Sequence, residues 1–147
     1  MPDEPTLDAV DLQGNSKIDA TVVKTDAEWQ SALTPEQYAV LRKHGTEARG
    51  SSPFLKEKRP GVFRCAGCGH TLFESGTKYE SGTGWPSFSD ALNDAVETTV
   101  DRSHFMTRTE VHCRHCGGHL GHLFDDGPAP TGQRYCMNGA AMKFEPK

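Results

Sequence analysis

Cys65-Ala66-Gly67-Cys68-Gly69 and Cys113-Arg114-His115-Cys116-Gly117 are two copies of one Cys-x-x-Cys-Gly turn, separated by 44 residues. Each turn offers two thiolates, and two such turns complete a closed tetrahedral sulfur site of the kind zinc uses structurally. The glycine after each pair lets the chain turn tightly, so that backbone N–H groups face sulfur. His70 and His115 stand nearby as spare ligands, but four thiolates already fill the shell. An ordinary pair of buried cysteines, a redox Cys-x-x-Cys or a catalytic zinc fits less well, since two matched copies favour a closed site and catalytic zinc keeps an open position. Zinc here acts as a staple between distant strands and explains folding rather than chemistry.

Working outward, the runs around both turns are short, β-type and punctuated by glycine: 62–65, 71–73, 96–100, 105–113, 120–124 and 133–138. Alternation is clearest at Val96, Thr98 and Val100. Strands joined by turns without βαβ spacing point to a mainly β domain preceded by short helices. Thr25-Asp26-Ala27-Glu28 and Thr34-Pro35-Glu36-Gln37 are capping boxes, the second with Pro35 at the first helical position and Leu33 and Tyr38 placed as a hydrophobic staple. The second helix is expected to reach about His44 and stop at Gly45. Residues 46–61 carry Gly50, Pro53 and Pro60 and read as a long wrapping loop. Residues 1–20 lack hydrophobic periodicity and are expected to form a flexible leader, with one domain over 21–147.

The 147 residues suffice for one core without disulfides, and the fifth cysteine argues for metal ligation plus a lone thiol. The net charge of −4 gives no drive toward nucleic acid or anionic membrane. No apolar run approaches a signal sequence or membrane span, so a cytoplasmic monomer is expected.

That lone thiol is Cys136, in Arg134-Tyr135-Cys136-Met137-Asn138. A single cysteine in an apolar strand is more often a small hydrophobe than a nucleophile. In a strand, however, Arg134 and Asn138 share its face, and a cation and an amide beside a thiol favour the thiolate. His119 and His122, on a glycine-rich stretch, read as acid and hydrogen-bonding groups once the metal shell is full. Trp85, held between Gly84 and Pro86, fits equally a core plug and a site wall that receives a methyl or thioether group.

CAGCGHTLFES, YESGTGWPSF, VHCRHCGGHLGHLF and RYCMNGAAMKF, in this order, resemble the methionine-R-sulfoxide reductase B family over about residues 25–144. The resemblance implies two antiparallel sheets with N-terminal helices, a structural zinc on Cys65, Cys68, Cys113 and Cys116, and reduction of the R epimer of methionine sulfoxide in proteins as a repair of oxidative damage. It implies Cys136 as the catalytic cysteine, His119, His122 and Asn138 as its catalytic partners, and Trp85 in substrate binding, where the local reading adds Arg134. The expected sequence is attack by the Cys136 thiolate, proton delivery by His122 aided by His119, and a sulfenic acid on Cys136.

The departure is Thr83, where many members carry a resolving cysteine. An external thiol, such as thioredoxin, glutaredoxin or glutathione, is then the expected reductant. Two other classes stay open on sequence: a non-catalytic zinc-ribbon module that binds a protein, and a zinc hydrolase using His119 and His122. Cys136→Ser separates the first from a reductase, because it abolishes turnover and leaves binding intact.

Overall fold

A computed structural model describes residues 24–102 and 107–147. Both capping boxes form. Thr25 opens α1 (Asp26–Ala32) and Thr34 opens α2 (Pro35–Lys43), each hydroxyl accepting the third helical N–H while Glu28 or Gln37 reaches back to the cap. Such a cap contributes about 1 kcal/mol, which matters for helices of two turns. The end of α2 differs from expectation. His44, not Gly45, adopts the left-handed conformation (φ 58°), and Gly45 serves a close approach, since a Cβ there would stand 2.9 Å from the Ala39 carbonyl oxygen.

The strands form two antiparallel sheets. In the smaller, β1 (Gly61–Cys65) lies between β2 (Thr71–Glu74) and β9 (Met142–Pro146). The larger contains β3 (Lys78–Tyr79), β4 (Ser87–Phe88), β5 (Val96–Asp101), β6 (Arg108–Cys113), β7 (His119–Phe124) and β8 (Arg134–Met137), in the order β3-β4-β8-β7-β6-β5. Three fully buried aromatics join the sheets: Phe88 stacks on Phe73 at 4.2 Å and meets Phe63 edge-on at 5.0 Å. Truncating one of them to alanine costs about 3–5 kcal/mol.

Strand β9 carries no element in the sequence reading, although Met142 and Phe144 alternate with polar residues. Its partner β1 lies some eighty residues earlier, and it pairs along its whole length from Gly61↔Pro146 to Cys65↔Met142. The expected run from Phe105 begins outside the described residues; within them β6 starts at Arg108. The leader expected over residues 1–20 also lies outside the described residues.

In β5 the strand forms, but of its alternating residues only Val96 packs on the core. Thr98 and Val100 are exposed, while Thr99 meets His112 at 3.1 Å and Asp101 meets Arg108 and His122. This is an edge strand whose inner face serves a polar cleft. Among the described residues no helix is long and apolar enough to cross a membrane.

Candidate active site

Cys65 ends β1 and Cys113 ends β6, so the two cysteine turns tie the small sheet to the large one. They are built alike. Gly69 N–H donates to Cys65 O at 2.9 Å and Gly117 N–H to Cys113 O at 2.8 Å, and both glycines have positive φ (84° and 77°) that other residues rarely adopt. The sulfurs of Cys65 and Cys116 stand 3.7 Å apart, those of Cys68 and Cys113 3.6 Å. Sulfurs about 2.3 Å from a common centre in a tetrahedron have edges of about 3.8 Å, so this set fits a metal ion. Gly67 N–H faces Cys65 Sγ at 3.3 Å, as the sequence led one to expect.

Four sulfurs this close contest one another's protons. The Cys113 thiol pushes Cys65 and Cys116 up and Cys68 down, a conflict that a dication removes. The two helices close over the cluster. Trp29 packs against Gly67, Leu41 against Gly118, and Arg42 Nη1 donates to Cys116 O at 2.9 Å. The stacked rings of His70 and His115 flank the cluster, with His70 Nδ1 3.4 Å from Cys68 Sγ.

Cys136 lies elsewhere, in β8 between β4 and β7, directly across from Ser87 on one side and His122 on the other. Cys136, His122, Trp85 and Asn138 line one open cleft of about 120 Å³ together with Thr46, Arg108, Gly121 and Phe124. Gly121 is the floor that allows this. A Cβ there would collide with the Cys136 carbonyl oxygen.

His119 and His122 are three apart, and in a regular strand such residues face opposite ways. The β6–β7 register pairs Val111 with Gly121 but His112 with His119, so Leu120 is an extra residue of a bulge. The bulge sends Leu120 into the core, fully buried, and turns both imidazoles to one side, 5.5 Å apart. They do different things there. His122 reaches the Cys136 cleft, whereas His119 is buried behind it with Nδ1 2.5 Å from Glu110 Oε2.

The remaining candidates are placed in unexpected ways. Asn138 has its amide engaged by the protein: Oδ1 accepts Glu47 N–H at 3.0 Å and Nδ2 donates to Leu120 O at 3.1 Å. Trp85 is half-buried, a wall rather than a core plug, and its Nε1–H donates to Glu47 O at 3.1 Å. The indole therefore offers its ring face to a ligand and not its N–H. Arg134 holds its guanidinium carbon 4.3 Å from the Phe124 ring centre and forms a two-pronged pair with Asp126 at 2.8 and 3.1 Å, at the rim.

Glu47 holds this arrangement together, although no motif marks it. Its buried carboxylate accepts Gly139 N–H at 2.6 Å and Ala140 N–H at 3.1 Å, while its backbone holds Asn138 and Trp85. One loop residue thus positions two sides of the cleft. Burial raises the Glu47 carboxyl above its usual range despite those two donors. Arg108, Phe124 and Glu110 are likewise outside the sequence-based set. They sit in strand runs whose spacing gives no sign of a cleft.

The electrostatics also depart from expectation. Burial pushes the Cys136 thiol above its ordinary value, and the Thr83 hydroxyl and the Arg134 charge only partly offset it. Burial, followed by the Arg108 charge, holds His122 below the ordinary imidazole value. The resting pair is therefore a thiol beside a neutral imidazole. Such a thiol becomes a nucleophile when the neighbouring base takes its proton.

The SelR domain model matches residues 33–146. The peptide methionine sulfoxide reductase MsrB of Methanosarcina barkeri is 54% identical over 125 residues, covering 84% of this chain and 88% of that protein. The protein of the same name from Agrobacterium fabrum is 52% identical, covering 85% of this chain and 93% of that protein. The solved Mis18 "Yippee-like" domain is similar over 59% of this chain and 96% of that chain, with 21% identity and a TM-score of 0.48, too distant to bear on function. A domain match over most of the chain, with relatives above 50% identity along nearly their whole length, means that this chain belongs to the methionine-R-sulfoxide reductase B family, a family of oxidoreductases, in a form with threonine at position 83.

Proposed function

We propose that the chain reduces methionine-R-sulfoxide residues of oxidised proteins to methionine, with Cys136 as the nucleophile and an external thiol as the reductant. The observation that carries this reading is the shared lining of one cleft by Cys136, His122 and Trp85. A thiol, a base within the same wall and an aromatic face beside them suit a small thioether-type group.

The chemistry balances on the chain's own groups. The Cys136 thiol gives its proton to His122 and its sulfur attacks the sulfoxide sulfur. The sulfoxide oxygen takes the proton from His122 and passes to the Cys136 sulfur as the new sulfur–sulfur bond breaks, so the products are methionine and a Cys136 sulfenic acid. Methionine sulfur gains the two electrons that Cys136 loses. Two external thiols then reduce the sulfenic acid, yielding their disulfide and water. A thioredoxin-type dithiol, a glutaredoxin or glutathione is the reductant class we assign, because all the other cysteines belong to the four-sulfur cluster.

Within this scheme Trp85 holds the S-methyl group against its ring, and His119 and Asn138 act behind His122 and Cys136 as positioning groups. Arg134 supports the anionic sulfur from the rim. Zinc is the cation we assign to Cys65, Cys68, Cys113 and Cys116, since four thiolates in a closed tetrahedron suit it, and its contribution when bound is to fasten the two sheets.

The test is turnover of the separated R and S sulfoxides of a dabsylated methionine with dithiothreitol. Reduction of the R epimer alone is expected; reduction of neither contradicts the proposal.

A further inference from the structure

A second group of metal-type ligands lies on the far side of His122 from Cys136. His44, at the end of α2, Glu110 of β6 and His119 of β7 bring Nδ1, a carboxylate oxygen and Nδ1 within 4.8 Å of one another. Glu110 Oε2 is the common point, 2.6 Å from His44 Nδ1 and 2.5 Å from His119 Nδ1. Three separate elements converge here, and they border a cleft of about 420 Å³ lined also by Thr46, Asp101, Arg108 and His122.

The contacts at this point are close. The His119 side chain is 3% exposed, and its Nδ1 shares Glu110 Oε2 with His44 Nδ1, so one carboxylate oxygen faces two imidazole nitrogens. A carboxylate between two imidazoles accepts their N–H groups and is also an anionic metal ligand, with a cation able to take the place of the shared protons.

We propose that His44, Glu110 and His119 form a second metal site, weaker than the four-cysteine cluster and filled only by added metal, for a borderline divalent transition cation such as cobalt(II). Two imidazoles and a carboxylate suit these ions, with the remaining coordination position open to water from the cleft. Bonds of about 2.0–2.1 Å set ligand–ligand edges of about 3.3 Å, so Glu110 Oε2 and each Nδ1 must draw apart by under about 1 Å. His44 permits this, because its side chain is 60% exposed at a helix end.

A cation there adds positive charge beside His122, whose ring lies 5.5 Å from that of His119. It opposes protonation of His122 and slows the proton transfer on which the proposed reduction depends. Only this inhibitory consequence rests on the reductase reading; the binding itself does not.

Cobalt(II) chloride added to the full, zinc-loaded protein tests the site. One further equivalent is expected, with the weak visible bands of a nitrogen and oxygen site, and at least tenfold weaker binding in His44→Asn. Asparagine suits the left-handed backbone of position 44 and leaves the fold intact. In parallel, excess cobalt is expected to slow sulfoxide reduction at least tenfold in the parent protein and not in His44→Asn, whose basal rate is unchanged. No uptake beyond the cysteine cluster, uptake equal in His44→Asn, or strong thiolate charge-transfer bands marking exchange into the cysteines would each overturn the site. A chain that binds the second equivalent but reduces no sulfoxide keeps the site and loses the reductase reading.

Discussion

Thr83 Oγ1 lies 3.9 Å from Cys136 Sγ, at the end of a run of hydroxyls in which Ser87 meets Ser81 at 2.7 Å and Ser81 meets Thr83 at 2.9 Å. Thr83 therefore points at Cys136, the proposed nucleophile. On the proposed reading it stands where a resolving cysteine would act and cannot itself resolve a sulfenic acid.

Thr83→Cys is accordingly expected to create an intrachain disulfide with Cys136 during turnover, since the side-chain atoms already approach each other and a bridge needs only sulfurs brought to about 2.05 Å. Thiol titration after one equivalent of sulfoxide checks this. The variant should lose two thiols where the parent loses one. Thr83→Val, which keeps the shape and removes the hydroxyl, should raise the Cys136 pKa further and slow its alkylation by iodoacetamide at neutral pH.

His122→Gln is expected to cut the single-turnover rate about 10²-fold or more, and His119→Gln less, because only His122 borders the Cys136 cleft. The pH dependence carries the sign. Burial holds the His122 pKa below its ordinary value of 6.5, so the imidazole is neutral and able to accept a proton throughout the neutral range. The parent rate should stay level near pH 7 and fall only as pH drops through that depressed pKa. Rapid-quench rates from pH 5 to 8 test it; a parent rate that rises on acidification to pH 5 contradicts the proton-acceptor role.

Glu47→Ala removes the carboxylate that accepts Gly139 and Ala140 N–H groups and leaves two buried donors unpartnered. A loss of about 2–4 kcal/mol in urea unfolding is expected, with a smaller loss for Glu47→Gln, which keeps one acceptor. Trp85→Ala should spare stability by comparison. Its effect should appear as weaker substrate binding together with a slower chemical step.

Metal analysis of protein purified without added metal should find about one zinc per chain, and chelation in mild denaturant should unfold the domain, because binding energy at such sites is folding energy. A stable chain without zinc, with Cys65 and Cys68 joined as a disulfide, would contradict the assignment.

Much of this site was legible because its signals are local. A capping box spans four residues, each cysteine turn spans five, and Cys136 with its neighbours spans five. The hidden features depend on partners far along the chain. The bulge at Leu120 exists only in the pairing of β7 with β6, and it alone explains how two histidines three apart share a face. Glu47 sits in a loop with no periodicity, and its partners Gly139 and Ala140 lie more than ninety residues on. Arg134 does favour the Cys136 thiolate, as its place in the sequence implies, but sequence does not show the burial that outweighs it, nor the Asp126 pair that occupies the guanidinium.

In the proposed reaction Cys136 takes the oxygen from a methionine-R-sulfoxide with no cysteine partner. Mixing the chain with one equivalent of a peptide R-sulfoxide, in the absence of any thiol, and trapping with a sulfenic-acid-selective probe before mass spectrometry tests it directly. One methionine formed per chain, the probe on Cys136 alone and no disulfide within the chain are expected. An intrachain disulfide, or methionine formed with Cys136 still a thiol, would contradict it.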